Sequence, residues 1–388
     1  MKKICFDPFY GLNYIGFREK LRVNKILKNK SLFRYDGVNM LYESDKVEES
    51  LKNMFNEDAL LVNNGTSALK LCLLANGIGE GDEVIVPCLS FIATAASCLS
   101  VGAIPVFADI DESFSIDPNS IVERITKKTK AVVVVHYQGY SCDMDKILEI
   151  CRKYNLALIE DCAQAFGSKY NNKLIGTFGN SSAFSFQACK VITCGEGGAV
   201  ISKVNMDYIN RYADNGGYRE KDMMPLWNKS FTSFGENFKI TDYQSALLSI
   251  QLTRLDKIIN HQKLIFNALT EGLNKYNLRK INKSSDIIPM SLCVTFKTKI
   301  ECDKFIDYMN DNGIEFSKRI TNFLPKYNTF EKGLSPYKNN FPYKNYKVQI
   351  CLKSLNLLNR SAWLVLNSKL SKKEINYIKN KMVSYYEK

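Results

Sequence analysis

The chain has 388 residues, of which 45% are hydrophobic and 24% charged, and it carries a formal net charge of +13. This length predicts two domains, and the composition is typical of a globular protein. The longest apolar stretches, such as 131–135, have only the length of a strand, which excludes a membrane span. The amino terminus has no signal-peptide pattern, so we expect a cytoplasmic location.

The twelve cysteines lie in predicted core segments without a CxxC pair, and the chain has only two histidines. We therefore expect reduced, buried thiols and no metal site. The excess of lysine is spread along the chain and does not form a basic arm, which argues against nucleic acid as a partner. Part of the positive charge is expected to attract an anionic, phosphorylated substrate.

Residues before about 58 are predicted to be mostly irregular, apart from an amphipathic helix at 44–56. From residue 59 onward, strands alternate with helices. Strands are predicted at 59–62, 83–86, 104–108, 131–135, 156–160, 183–186 and 198–202, and helices at 67–75, 93–101 and 144–154. Because most of these strands are apolar without alternation, they predict an α/β protein with a mostly parallel sheet covered by helices on both faces.

A long helix predicted at 241–267 leads into the second region. There, a strand at 290–296 and helices at 300–312 and 371–385 predict a small α+β domain. We accordingly expect a large domain at 1–256, with an amino-terminal arm, and a small carboxy-terminal domain at 257–388.

Lys190 lies in the segment 185–198 (SFQACKVITCGEGG), between an apolar strand end and a glycine-rich turn. Taken alone, a lysine is usually a solvated surface cation. Upstream, the segment 160–165 (EDCAQA) places Asp161 or, as an alternative, Glu160 at the carboxyl end of a core strand. Such a lysine and carboxylate are what pyridoxal phosphate chemistry requires, because the lysine forms a Schiff base and the carboxylate keeps the pyridine nitrogen protonated.

The segment 64–69 (NGTSAL) lies where the first core strand gives way to a helix. Its backbone N–H groups and hydroxyls could bind a phosphate, although Thr66 or Ser67 could equally serve as the helix cap. Ser185 could add a further hydroxyl. Gln164 could hydrogen-bond the phenolic oxygen of the cofactor ring, and Phe91 could either stack on that ring or pack in the core.

In this order, and together with 79–87 (GEGDEVIVP) and 143–145 (DMD), these segments resemble the DegT/StrS-like sugar aminotransferases. The resemblance runs from residue 64 to residue 256 and implies the aspartate aminotransferase fold, known as fold type I. It also implies that Lys190 forms the Schiff base and acts as the base, and that Asp161 pairs with the ring nitrogen. The remaining cofactor-binding residues that it implies are Phe91 on the ring, Gln164 at the ring oxygen, and Gly65, Thr66, Ser67 and Ser185 around the phosphate.

The resemblance further implies a homodimer with shared active sites. The segment 235–239 (GENFK) corresponds to a family motif whose asparagine reaches the cofactor phosphate of the neighbouring subunit, and here that residue is Asn237. Lys239 stands where the family has arginine. A lysine cannot make the bidentate contacts that an arginine makes. Phe166 and the segment 316–319 also depart from the family, at positions expected to lie near the substrate.

The sequence therefore predicts a transaminase that moves an amino group from a donor, expected to be glutamate, to a keto acceptor. The favoured acceptor is a nucleotide-linked keto sugar used in a surface polysaccharide or glycan. A small phosphorylated ketone or a cyclitol ketone is the alternative within the same chemistry. A pyridoxal-phosphate-dependent dehydratase and a cofactor-binding sensor without turnover are the competing classes, and the retained Lys190 argues against both.

Overall fold

The structure is a computed structural model that describes residues 4, 10–35, 39–217, 233–273, 276–282, 284–340 and 346–387. The strands of this part of the chain are Asp58–Val62 (β1), Glu83–Pro87 (β2), Ile104–Ala108 (β3), Thr129–Val135 (β4), Ala157–Asp161 (β5), Lys169–Tyr170 (β6), Lys173–Leu174 (β7), Ser181–Ser185 (β8), Gly198–Ser202 (β9), Ser285–Asp286 (β10), Ser291–Thr295 (β11) and Ser361–Val365 (β12).

The helices of the described residues alternate with these strands. They are Phe17–Asn29 (α1), Glu43–Phe55 (α2), Gly65–Ala75 (α3), Ala93–Ser100 (α4), Pro118–Arg124 (α5), Met144–Tyr154 (α6), Met206–Ala213 (α7), Asp242–Leu252 (α8), Leu255–Thr270 (α9), Lys299–Asp311 (α10), Asn328–Glu331 (α11), Leu352–Asn359 (α12) and Lys372–Tyr386 (α13). Within the described ranges, no helix is both long enough and apolar enough to cross a membrane.

A seven-stranded sheet forms the centre of the fold, in the order β1-β9-β8-β5-β4-β2-β3. β9 is antiparallel to both of its neighbours, and the remaining adjacent pairs are parallel. The prediction of a mostly parallel sheet is thus confirmed. Because β1, β2, β5 and β8 point in the same direction, their carboxyl ends meet at one edge of the sheet, where α/β folds bind ligands.

Both faces of this sheet are covered. In β4, Val133 and Val135 belong to one buried cluster, whereas Val132 and Val134 belong to another. The first cluster includes residues of α3 and α4, and the second includes residues of α2, α6 and α8. The alternation of side chains along each strand therefore creates two cores in a three-layer α/β architecture, as predicted.

A third buried cluster joins α9, α10 and α13 to the two-stranded sheet of β11 and β12. It also contains Tyr10 and Tyr140, from the amino-terminal part of the chain. This separate core accords with the predicted small α+β domain. The boundary at residue 256 falls in the first turn of α9, and the division into 1–256 and 257–388 stays a prediction.

Two predicted elements are wrong. Residues before 58 are not mostly irregular, since α1 spans Phe17–Asn29; only Glu19 and Ile26 of this helix are buried, so its apolar pattern gives a weak signal. The predicted helix at 241–267 is divided into α8 and α9. Arg254 leaves helical geometry between them, and its guanidinium donates to the backbone oxygen of Tyr14 and to Glu19.

Candidate active site

A cavity of about 730 Å³ opens at the carboxyl edge of the central sheet. Its lining residues are Asn64, Gly65, Thr66, Ser67, Leu69, Phe91, Ala93, Thr94, Asp161, Ala163, Gln164, Ser185, Gln187, Cys189, Lys190 and Glu196. The structure thus brings together every predicted site residue except Asn237. Strands β5 and β8 end at this cavity, and α3 begins there.

Lys190 lies in the loop between β8 and β9, which is fixed by its own backbone. The N–H of Lys190 donates to the oxygen of Gln187 (2.9 Å), and the oxygen of Lys190 accepts from the N–H of Gly11 (3.1 Å). In the described part of the chain, no hydrogen bond or salt bridge holds its amine. Burial lowers the pKa of Lys190, and the negative charge of Asp161 opposes this shift only in part. A neutral amine is the form that attacks an aldehyde and accepts a proton.

Asp161 is the last residue of β5 and is only 5% exposed. One carboxylate oxygen accepts from the hydroxyl of Thr94 (2.7 Å) and the other from the N–H of Ala163 (3.1 Å). Thr94 is in turn 2.7 Å from the hydroxyl of Ser90. Burial raises the pKa of Asp161 above its ordinary value, while the hydrogen bonds from Thr94 and Ala163 favour the carboxylate.

Glu160, the alternative to Asp161, does not line this cavity. Its carboxylate accepts from the N–H groups of Gly176, Phe178 and Gly179, and it lies 3.1 Å from Nε2 of the buried His136. Successive residues of a strand point to opposite faces, so only one of the two acids can face the cavity. The structure assigns that orientation to Asp161.

The start of α3 lies at the cavity wall, where the sequence predicts the phosphate site. The side chain of Asn64 caps this helix by accepting from the N–H of Ser67 (2.8 Å), so the alternative in which Thr66 or Ser67 provides the cap is wrong. This cap leaves the hydroxyls of both residues available at the cavity wall, next to the N–H groups of Gly65 and Thr66. A helix N-terminus with unused donors favours an anion.

Gly65 allows this helix end to approach β8 closely. A Cβ atom at Gly65 would lie 2.8 Å from Cβ and 3.3 Å from Oγ of Ser185. On the other side, a Cβ atom at Gly198 would lie 2.6 Å from the carbonyl of Asn64. The two glycines therefore bring the hydroxyl of Ser185 beside the N-terminus of α3, where both can contact one phosphate.

Gln164 and Phe91 complete the cavity wall. The Oε1 atom of Gln164 accepts from the backbone N–H (3.0 Å) and the side-chain amide (3.1 Å) of Gln138, which leaves its own amide nitrogen as a donor. Phe91 is 59% exposed, although a large aromatic side chain in a core would be buried. This exposure at the cavity favours a stacking role for Phe91 over the alternative of core packing.

Asn237 is the predicted site residue that does not line the cavity of its own chain. Its Oδ1 atom accepts from the N–H of Lys239 (3.4 Å), and the amine of Lys239 pairs with the buried Asp214. The preceding Glu236 forms an ion pair with Lys70 of α3. The segment 235–239 is thus fixed on its own subunit, and a contact of Asn237 with the cofactor of a neighbouring subunit stays a prediction.

Phe166 does not lie near the substrate, contrary to the sequence-based expectation. It is 3% exposed and packs against Phe55, Phe184 and Phe186 in the core. Its aromatic neighbours make this an apolar position of the core.

Sequence reasoning missed Asn64 and Thr94. Thr94 follows Phe91 by three residues at the start of α4, a spacing that places both on the same face of the chain. That spacing could have identified Thr94, whereas its contact with Asp161 depends on the tertiary fold. Asn64 could have been recognised as a cap because asparagine precedes the helix and Ser67 follows it by three residues.

The residues of this cavity fit pyridoxal phosphate. Lys190 supplies a buried amine with a lowered pKa, Asp161 a buried carboxylate, and the N-terminus of α3 an anion site. Phe91 offers an exposed ring face. Each chemical group of the cofactor, its aldehyde, ring nitrogen, ring face and phosphate, therefore has a matching group in one cavity.

Comparisons with known proteins support this interpretation. A GDP-perosamine synthase from Escherichia coli O157:H7 is 37% identical over 314 residues, which are 80% of this chain and 83% of that protein. The aminotransferase from Psychrobacter cryohalolentis is similar in structure, with a TM-score of 0.82 and 28% identity over 99% of each chain. A putative sugar aminotransferase from Streptococcus pneumoniae, in its pyridoxal phosphate form, shares the fold with a TM-score of 0.80, 23% identity and 99% coverage of each chain.

The fold, the cofactor and the enzyme class follow from these observations together. The architecture is that of the aminotransferases, the cofactor is pyridoxal phosphate, and the chain is a pyridoxal-phosphate-dependent aminotransferase. Because the model of the DegT/DnrJ/EryC1/StrS aminotransferase family matches residues 14–383, the chain belongs to this family.

Proposed function

We propose that this enzyme transfers an amino group from glutamate to a nucleotide-linked keto sugar that is used in a surface polysaccharide or glycan. The observation that carries the proposal is the amine of Lys190, which is buried without a salt bridge among the described residues in the same cavity as Asp161 and the N-terminus of α3. The similarity to a synthase of GDP-perosamine supports a nucleotide-linked acceptor. The net charge of +13 would attract such an anionic substrate.

The geometry of the cavity supports the following roles. Bound pyridoxal phosphate supplies an aldehyde that reacts with amines and a ring that withdraws electrons from the substrate carbon. Lys190 then removes a proton from the α-carbon of the donor and, in the second half-reaction, returns one to the acceptor carbon. Asp161 accepts a hydrogen bond from the protonated ring nitrogen, and Gln164 donates to the ring oxygen. Gly65, Thr66, Ser67 and Ser185 hold the phosphate, and Phe91 covers the ring.

The proposal includes a cytoplasmic homodimer in which Asn237 completes the site of the neighbouring subunit. The test mixes Lys190→Ala chains with Asn237→Ala chains. A mixed dimer then contains one site with an intact Lys190 and, from the other subunit, an intact Asn237. Activity should therefore exceed that of either homodimer, and mixed dimers no more active than the homodimers would contradict sharing.

The acceptor is tested with enzyme that carries pyridoxamine phosphate. This form is isolated after reaction with glutamate. It is then mixed separately with nucleotide-linked keto sugars, cyclitol ketones and small phosphorylated ketones. The measurement is the return of the pyridoxal phosphate absorbance. The proposal predicts return with a nucleotide-linked keto sugar, and return only with a cyclitol or small phosphorylated ketone would refute it. A dehydratase would instead form a ketone without consuming glutamate.

A further inference from the structure

A second group of polar side chains, here called the donor cluster, consists of Tyr137, Arg279, Arg319 and Trp363. Among the residues that the structure describes, buried atoms of all four have no hydrogen-bond partner: the hydroxyl of Tyr137, both terminal nitrogens of Arg279, Nε of Arg319 and Nε1 of Trp363. Tyr137 is 1% and Arg279 5% exposed. Buried polar atoms are nearly always paired, so several unpaired donors in one place indicate a group that binds there.

The guanidinium groups of the donor cluster have no directly paired carboxylate in the described part of the chain, although Asp111 lies within electrostatic range of Arg279. Arg279 donates through Nε to the backbone oxygen of Ser113 (2.6 Å), and its guanidinium carbon lies 3.7 Å from the ring centroid of Tyr140. Among the described residues, neither Arg279 nor Arg319 forms a salt bridge with a carboxylate. A buried guanidinium without a directly paired carboxylate is unfavourable, whereas an anion that accepts from it lowers that penalty.

The donor cluster lies next to the cofactor cavity. Tyr137 is followed by Gln138, which donates twice to the cavity residue Gln164. It is preceded by His136, whose N–H donates to the backbone oxygen of Asp161 (3.1 Å).

The segment that carries Arg319 contacts the loop that carries Phe91. The oxygen of Asn322, three residues after Arg319, accepts from the N–H of Ser90 (3.1 Å), which precedes Phe91. A ligand in the donor cluster would thus lie between the loops that carry Phe91 and Gln164.

The hydroxyl of Tyr137 is suited to donate to an anion. Burial raises the pKa of Tyr137 above its ordinary value, and the charges of Arg319 and Arg279 only partly oppose the shift. The hydroxyl therefore keeps its proton at neutral pH. A phenol beside a guanidinium offers two donors to one carboxylate, which is the geometry in which charge-assisted hydrogen bonds are strong.

We propose that Arg319 and Tyr137 bind a carboxylate of the amino donor, with Arg279 and Trp363 behind them as a second charge and a second donor. This inference rests on the proposed function, because it identifies the residues by which that same site recognises glutamate. Lys190 acts on the reacting carbon, and the donor cluster fixes the carboxylate end. The ligand class is a dicarboxylate of the size of glutamate.

The test uses glutarate, a dicarboxylate that lacks the amine and cannot react. Its affinity for the holoenzyme is measured by titration calorimetry in wild type, Tyr137→Phe and Arg319→Met. Tyr137→Phe removes only the hydroxyl, which has no hydrogen-bond partner among the described residues, so stability should not fall. Each substitution should weaken glutarate binding by roughly tenfold or more, as expected for a lost hydrogen bond to a charged group.

Lys318→Met is the matched control, because it removes the same charge from the adjacent residue, which pairs with Asp303. It should leave the glutarate affinity unchanged. In the reaction with glutamate, Tyr137→Phe and Arg319→Met should raise the half-saturating concentration without lowering the rate at saturation. Unchanged glutarate affinity in both variants would overturn the inference and mean that only water satisfies the donor cluster. Failure of wild type to react with glutamate would instead refute the proposed function.

Discussion

Thr94 contacts the carboxylate of Asp161, which is proposed to pair with the nitrogen of the cofactor ring. Its hydroxyl donates to Asp161 over 2.7 Å, and both side chains are buried. A hydrogen bond to a charged group contributes about 1.5–3 kcal/mol, which corresponds to roughly 1–2 pKa units at about 1.4 kcal/mol per unit. Because burial has already raised the pKa of Asp161, Thr94→Val should raise it further by that amount.

The assay is the binding of pyridoxal phosphate to apoenzyme as a function of pH. Binding should weaken as the pH falls through the pKa of Asp161, since the protonated acid no longer favours the protonated ring nitrogen. In Thr94→Val this loss should begin at a pH about 1–2 units higher than in wild type, while Thr94→Ser should resemble wild type.

Ser97→Ala serves as a control on the same helix, because the hydroxyl of Ser97 donates to the backbone oxygen of Thr94 (3.1 Å) and, in the described part of the chain, forms no hydrogen bond with Asp161. It should leave the pH dependence unchanged. If Thr94→Val and wild type lose the cofactor over the same pH range, the reasoning that Thr94 stabilises the carboxylate is refuted.

Other predictions concern packing, stability and the lysine. Gly65→Ala should weaken cofactor binding and lower the free energy of unfolding in urea by about 1–3 kcal/mol, because the new Cβ would lie 2.8 Å from Cβ of Ser185. Gly79→Ala is the control, since the atom nearest to its new Cβ is 4.0 Å away. Equal losses of stability in the two variants would contradict the reasoning. Asp242→Ala should lower the free energy of unfolding in urea by about 3–5 kcal/mol, because the buried carboxylate accepts four hydrogen bonds from α2 and the segment before α2. A loss of stability below about 1 kcal/mol would contradict this prediction. Burial lowers the pKa of Lys190, so the rate at which apoenzyme captures pyridoxal phosphate should rise with pH to an inflection below 10.5, and an inflection at or above that value would contradict it.

The sequence predicted features that depend on one element or one loop. The strands of the central sheet could be predicted because both faces of this sheet are buried, which makes most of these strands apolar. Asp161 could be placed at a strand end and Lys190 in the loop after a strand because each lies within a short characteristic segment. These signals are local and survive without knowledge of the tertiary fold.

Features that depend on distant contacts could not be predicted in the same way. Thr94 and Asp161 are 67 residues apart, and the donor cluster combines residues that follow β4, precede β11 and lie in β12. The break between α8 and α9 depends on contacts of Arg254 with α1 and the residues before it. In each case the contact joins residues that are distant in the sequence and lie close together only in the folded chain.

The proposed function requires that the amine of Lys190 bonds the cofactor. The most direct measurement is borohydride reduction of the holoenzyme, followed by peptide mapping. We expect a stable pyridoxyl group on the peptide that contains Lys190, and no such group in Lys190→Ala. A label on another lysine, or no label in wild type that carries the cofactor, would contradict it.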